Sequence, residues 1–580
     1  MERKFKIMII VVLIIFSLFE LRLFQLQVIE GNKYREMLED YMTKIENIPA
    51  PRGRIYDRNG ILIADSIPMF NLYVDLRKYH KASIEEKNRF MAVMLNINPN
   101  LRENLERLDV SKNQKVIFEK LDIEQFRTIK NYINEFSFLS YDKFYARKYY
   151  GPKSLCHVVG YTDQRSQGKN GIEKEYNYLL KGKDGSRYIK TDAYGNEIGH
   201  AKIVEPIPGK DLYLTIDTRL QKELEKLLME INQPSCAIAL NPSNGEILAM
   251  VSYPYFDANI FSKKLTSEEW EKLSNDPQHP LLNRCISSSY LPGSIIKPFT
   301  ALTALYYDLV DPFKIWHCTG KYEITSKNTN KVIATYKDWV RFGHGDVNLI
   351  DALKVSCNTY FYNLGVRIGI QTLSEFANLI GLDQKTGIDL PGEIAGLYPS
   401  IDWKRKRLNE DWYIGDTVLI SIGQGYVSLT PLEITMLYSL IATEGKIFQP
   451  HVLKEVVSKS IPENHEMVKI KLIRSIQLSK EKWNVLKEGL KKVVDYPGTN
   501  VVDRGTAYEE FKGFKYSVAG KTGTAEISND EPTHAWFACF SPIKKPSVVF
   551  VVFVDRGGYG GHVAAPIARK FLEYYYELNK

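Results

Sequence analysis

Three short runs of residues place a nucleophile, a base and an anion holder in a fixed order along this chain. They are Ser294-Ile295-Ile296-Lys297, Ser356-Cys357-Asn358 and Lys521-Thr522-Gly523-Thr524. A serine hydroxyl is a weak nucleophile at neutral pH and needs a neighbour to take its proton. On a helix, positions i and i+3 share a face, so Lys297 is expected beside the Ser294 hydroxyl. An amine can act as that base only if burial and neighbouring cations such as Lys521 lower its pKa. Pro292 reads as a helix start and Gly293 as a tight entry, which leaves the Ser294 N–H facing a developing oxyanion. In the third run, the Lys521 cation and the Thr522 and Thr524 hydroxyls suit a carboxylate, and Gly523 admits a substrate backbone closely. Ser356 can relay a proton and Asn358 can hydrogen-bond a substrate amide. Singly, each run has an ordinary reading as a capped core helix, a helix cap or a polar edge strand. Ser-x-x-Lys indeed recurs at Ser166/Lys169, Ser479/Lys482 and Ser541/Lys544. The order of the three together points to acyl transfer through a serine.

These residues must be held by a sizeable scaffold. Cys236–Leu240 and Glu246–Val251 flank Asn244-Gly245 and read as a hairpin. An amphipathic helix precedes them, with Leu220, Leu224, Leu227 and Leu228 on one face. Ser547–Asp555 is an uninterrupted β-rich run suited to a central strand, and Ala564–Tyr576 reads as a closing helix. Sheet pieces at both ends with helices between them predict an α+β fold, an antiparallel sheet between helical layers. Further forward, Leu212–Ile216 is a strand by alternation. Arg54–Asp57 and Ile61–Ala64 read as strands joined at Asn59-Gly60, with the arginines and Asp57 in structural roles. Residues 80–150 read as helical and charged, without a site. Pro206, Pro208 and Gly209 mark a boundary. The expected domains are residues 1–24, an anchor; 25–205, a β-rich pedestal; and 206–580, which carries all three runs.

The chain has 580 residues, long enough for several domains with a real core. Its formal charge of +8 is mild and gives no ground for nucleic-acid binding, and six cysteines over this length make no disulfide framework. The basic run Lys404-Arg405-Lys406-Arg407 reads as a solvated loop. At the front, Arg3, Lys4 and Lys6 precede the apolar stretch Ile7–Phe19, and no small-x-small cleavage site follows. An uncleaved single-pass anchor is expected, with the N-terminus in the cytoplasm and the bulk of the chain outside.

Tyr290–Lys297 and Ala519–Ala525 resemble the characteristic segments of class B penicillin-binding proteins, the monofunctional peptidoglycan D,D-transpeptidases. The resemblance extends over nearly the whole chain: Arg52–Gly60, Gly171–Tyr176 and Gly182–Gly185 are similar to the family's pedestal segments. Trp339–Gly345 and Thr386–Glu393 look most like the MrdA-type elongation branch. The resemblance implies a penicillin-recognising transpeptidase fold and a Ser294 acyl-enzyme that cross-links stem peptides, with D,D-carboxypeptidase activity on the side. In that scheme Lys297 is the base, Ser356 protonates the leaving D-Ala, and Asn358 binds a substrate amide. Lys521, Thr522 and Thr524 hold the terminal carboxylate, and the loop Gly423-Gln424-Gly425 lies near the cleft. It also implies stem peptides and lipid-linked nascent glycan as substrates, β-lactams as trapping ligands, and the SEDS-family polymerase RodA with the elongation machinery as membrane partners. Two other readings are a β-lactam-hydrolysing enzyme and a non-catalytic sensor. A hydrolase has little need of an anchor and pedestal, and a sensor would show decay in at least one run.

Cys318, Asp338, His344 and Cys357 are all metal-ligand types, although spacing alone favours reading them as ordinary polar residues. The resemblance implies a structural zinc on Cys318-Thr319-Gly320, Asp338-Trp339, Gly343-His344-Gly345 and Ser356-Cys357. His317 and Glu323 compete with Cys318 for the place of ligand. A Cys318–Cys357 disulfide is the rival arrangement.

Overall fold

The computed structural model describes residues 1–34, 43–95, 114–133, 135–192, 197–263, 265–326, 329–458, 464–527 and 531–580. The chain forms two compact units. One contains residues 1–51, 68–145 and 182–209; the other contains residues 52–67, 146–181 and 210–580.

In the first unit, Glu2–Phe24 is a continuous helix with no buried residue. With its extension to Ile29 it is long and apolar enough to cross a membrane. Thr43–Ile48, Gly185–Thr191 and Glu197–Val204 form a three-stranded antiparallel sheet. Residues 68–75 pair antiparallel with Gln114–Leu121, placing Phe70 opposite Leu121. Helices Ile84–Leu95 and Ile123–Ile133 cover a core of Leu72, Phe90, Phe118 and Ile129, in which Phe126 stacks on Phe70 at 3.9 Å. The expectation of an all-helical 80–150 therefore fails at Gln114–Leu121 and Leu139–Tyr149, both strands. In the latter, frequent charges mask an aromatic-rich segment of high strand propensity. Residues 96–113 of that stretch lie outside the described residues.

The second unit holds all three runs. Its central sheet has five antiparallel strands in the order Ile247–Tyr253, Ser235–Leu240, Val548–Val554, His534–Ser541, Ala519–Ala525. Period-two alternation sends its side chains into two separate cores. Trp536, Ala538, Phe540, Val549, Val551 and Phe553 join one, with the helices that follow Ser294. Phe537, Cys539, Phe550 and Val552 join the other, under helices Thr218–Ile231 and Gly560–Leu578. The sheet thus lies between helical layers, as the α+β expectation had it. Helix Pro431–Ala442 is buried along its whole length and packs on the first face.

A smaller sheet in this unit joins Asp211–Leu214, Ile55–Tyr56 and residues 62–64 to Leu453–Val457. Asp57 fastens its hairpin. One carboxylate oxygen accepts from Asn59 N and Ile61 N, and the other from Thr218 Oγ1 at 2.8 Å. Glu173, fully buried, receives Arg52 Nε at 2.5 Å and Arg147 Nε at 2.6 Å. These groups do structural work. The basic run is not a loop: Ile401–Leu408 is a helix capped by Ser400. Lys404 turns inward, 2.7 Å from Asp416 and above the rings of Tyr413 and Tyr426.

Candidate active site and metal cluster

Ser294 sits in a 3-10 turn, Gly293–Ile296, that runs directly into helix Lys297–Tyr306. The turn is pinned from several sides. Gly293 N donates to Gly423 O at 2.9 Å, Trp536 Nε1 to Leu291 O at 3.1 Å, and Tyr438 Oη to Ile295 O at 3.0 Å. Gly293 has φ +55°, and a Cβ there would lie 2.9 Å from Thr524 O. Only glycine lets the turn enter in this conformation this close to the strand. The role expected of Gly523 changes. A Cβ there would meet Ile295 Cγ2 at 2.8 Å and Trp536 Cβ at 3.0 Å. Its missing side chain makes room for the serine turn, while Thr522 and Thr524 on either side line the cleft.

Lys297 is fully buried, and its Nζ donates to Ser356 O at 2.7 Å, Ser356 Oγ at 3.1 Å and Asn358 Oδ1 at 2.6 Å. All three N–H bonds of the ammonium thus go to the Ser-Cys-Asn segment, and none to Ser294. Burial pushes this lysine down to about 8, against the opposing pull of Asp338 and Cys357. Ser356 holds a left-handed backbone, φ +59°, uncommon for a residue with a side chain and typical of constrained functional positions. Cys357 then caps helix Asn358–Ile368. Lys521 is also fully buried, and its Nζ donates to Thr522 O at 3.1 Å. Burial first, and the charge of Lys297 second, hold Lys521 well below the usual lysine range.

Ser294, Ser356, Asn358, Thr522 and Thr524 face one cleft of about 870 Å³, and Gln424 and Gly425 close one side of it. The three runs, spread over 230 positions of sequence, therefore meet around one space. The opposite wall was not legible in the sequence. It consists of Thr335, Tyr336, Lys337 and Trp339 with Tyr362, brought in by a two-stranded hairpin, Lys321–Thr325 and Val332–Lys337. Only their adjacency to Asp338 hinted at it.

Behind Ser356 and Asn358, the ligand atoms of Cys318, Asp338, His344 and Cys357 lie within 4.8 Å of one another. Asp338 Oδ2 is 3.8 Å from Cys318 Sγ and 3.4 Å from Cys357 Sγ. His344 Nδ1 is 3.7 Å from Cys318 Sγ and 3.5 Å from Asp338 Oδ1. Tetrahedral zinc with ordinary Zn–S, Zn–N and Zn–O lengths separates its ligands by about 3.3–3.8 Å, so this donor set fits the ion. Both cysteines are free thiols here, and Cys318 ends the short strand Trp316–Cys318 paired with Gly345–Val347. The competing His317 points elsewhere, with Nδ1 2.7 Å from Asp346. Glu323 pairs with Lys321.

Residues 235–573 match the model of the penicillin binding protein transpeptidase domain, and residues 47–214 that of the penicillin-binding protein dimerisation domain. The peptidoglycan D,D-transpeptidase MrdA of Acinetobacter baumannii is 30% identical, over 96% of this chain and 84% of its own. Its counterpart in Haemophilus influenzae is 28% identical, over 95% and 88%. Among solved structures, the complex between penicillin-binding protein PBP2 and MreC from Helicobacter pylori superposes with a TM-score of 0.74 at 29% identity, covering 93% of this chain and 99% of the other.

Proposed function

The chain belongs to the penicillin-binding transpeptidases, in their PBP2/MrdA elongation branch, and on that footing we propose that Ser294 is the nucleophile of its peptidoglycan D,D-transpeptidase reaction. The observation that carries the assignment is the buried Lys297 amine, one turn from Ser294 and bonded to Ser356 and Asn358. Neutral Lys297 gives up one of its donor bonds and takes the Ser294 proton, and Ser294 Oγ attacks the carbonyl of the penultimate D-Ala. The backbone N–H groups of Ser294 and Thr524 receive the oxyanion. One such donor is worth about 3–4 kcal/mol in the transition state. Lys521, Thr522 and Thr524 hold the terminal carboxylate. Ser356, already bonded to Lys297, passes a proton to the departing D-Ala nitrogen, and Asn358 binds a substrate amide. An amine of a second stem then attacks the ester carbonyl, forms the cross-link and frees Ser294. Water in its place gives the carboxypeptidase side reaction.

β-Lactams are assigned to the same serine, which gives the test. Mass spectrometry after exposure to a penicillin should find one covalent adduct, on the peptide bearing Ser294. Labelling that persists in Ser294→Ala would overturn the assignment. We further propose that residues 1–24 anchor the chain in the cytoplasmic membrane, that residues 25–205 form the pedestal, and that residues 206–580 form the extracytoplasmic transpeptidase domain. The membrane partner we assign is RodA, a SEDS-family glycan polymerase of the elongation machinery, which supplies lipid-linked nascent glycan. Similarity to a chain from a peptidoglycan synthase complex that coordinates polymerization and crosslinking supports this (29% identity, TM-score 0.72).

The metal we assign to Cys318, Asp338, His344 and Cys357 is zinc. Four protein ligands leave no open position, so its contribution is structural. With Cys357 turned to the ion, Ser356 and Asn358 on either side are held toward the cleft.

A further inference from the structure

Three charged residues line the cleft: Lys337, Asp338 and Glu526. Asp338 is committed, since its oxygens accept from Thr359 N at 3.0 Å and Val340 N at 3.3 Å and face the thiols and His344. Glu526 is not. Its side chain is exposed on the cleft wall, and its carboxylate has no hydrogen bond or ion pair among the described residues. Its backbone is nevertheless fixed. The Gln424 amide, in the orientation that satisfies both of its ends, accepts from Glu526 N at 3.0 Å and donates to Glu526 O at 3.3 Å. Across the cleft, burial, Asp338 and the Glu526 charge together push the Tyr362 phenol up.

The strand's geometry says which part of a substrate reaches Glu526. Thr522 and Thr524 on the strand, and Glu526 just beyond its end at Ala525, line the cleft, and two residues of strand advance about 7 Å. In the mechanism above, on which this inference rests, Lys521, Thr522 and Thr524 hold the terminal carboxylate, and the reacting carbonyl faces the backbone N–H groups of Ser294 and Thr524. An extended donor stem advances about 3.5 Å per residue, so the residue preceding D-Ala-D-Ala lies level with Thr524, and a long side chain on it extends along the cleft wall to Glu526. The stem that accepts the acyl group must carry an amine, which a diamino acid at that residue would supply. We infer that Glu526 is the subsite for the ammonium of the donor stem's third residue, so that the enzyme selects donors whose side-chain amine is still free. A carboxylate already solvated loses little on meeting an ammonium, and a charge-assisted hydrogen bond adds about tenfold in preference.

The test compares two soluble donors on the full-length protein, α-acetyl-Lys-D-Ala-D-Ala and its ε-acetyl derivative, by release of D-Ala. The wild-type protein should favour the free amine about tenfold in kcat/KM. Glu526→Gln should bring that ratio close to one, and Glu526→Lys should invert it. Each value is a ratio on one protein preparation, so partial loss of fold cancels. A ratio unchanged in Glu526→Gln overturns the inference. So does an unchanged donor ratio accompanied by slower capture of the acyl-enzyme by an added amine, which would make Glu526 an acceptor subsite. Penicillin labelling at Ser294 in the same preparations tests the mechanism separately from the subsite.

Discussion

If the buried Lys297 amine takes the Ser294 proton, acylation must follow the titration of that amine. With its midpoint at about 8, about one-tenth of the amine is neutral at pH 7 and about nine-tenths at pH 9. The neutral form is the competent one. The second-order acylation rate constant for a penicillin should therefore rise about tenfold between pH 7 and 9 and then level. The rate is to be read with penicillin well below saturation, by stopped-flow at constant ionic strength, so that the profile reports Lys297 in the unliganded protein. Lys297→Ala should lose about a hundredfold to ten-thousandfold at every pH and lose the rising limb with it. A flat profile from pH 7 to 9, or a midpoint near the ordinary lysine value of about 10.4, would rule out Lys297 as the base. Either result would mean that burial does not set the protonation of this site.

Three further outcomes follow from the packing. Gly523→Ala should slow acylation, because its Cβ would press on Ile295 Cγ2 at 2.8 Å and lift the serine turn from the strand; overpacking of this kind costs about 1–3 kcal/mol, and Ile295→Leu in the same chain, which removes that methyl, should recover part of the rate. Normal acylation in Gly523→Ala would show that the contact is slack. Glu173→Gln strands two buried arginines and should cost about 3–5 kcal/mol in denaturant unfolding, whereas a loss under about 1 kcal/mol would mean that water reaches the cluster. Elemental analysis of the purified chain should find about one equivalent of zinc, lost in His344→Ala together with thermal stability. Metal-free protein lacking accessible thiols at Cys318 and Cys357 would favour the disulfide.

Much of the reacting side of the cleft was legible because its chemistry needs particular residue types close together in sequence. Ser294 and Lys297 share a turn, and Lys521 to Thr524 share a strand, so short-range periodicity is enough to pair them. The sheet was readable for a similar reason: Val548–Val554, buried on both faces, is an unbroken apolar run. What failed depended on distant partners. Gly523 looked like an opening for substrate, and only the approach of Ile295 and Trp536 shows whose atoms fill that space. Lys404 looked solvated within a run of four cations, because the helical turn that points it at Asp416 and two tyrosines is not visible in composition. Tyr336 and Trp339 reach the cleft through a hairpin, a tertiary placement with no local mark.

Burial of Lys297 and Lys521 near one another has a consequence for timing. The two amines repel, so a proton held firmly on one is held loosely on the other. In the empty cleft, Lys297 has three acceptors around it and Lys521 has one, which favours leaving the charge on Lys297 and the serine idle. A carboxylate docking at Lys521 reverses that preference: it stabilises the ammonium there, and the ammonium in turn loosens the proton on Lys297. The correct substrate thereby arms the nucleophile that will attack it. A neutral electrophile drifting into the cleft does not. Selectivity of this kind needs no moving lid; it resides in where a single proton rests before and after an anion arrives.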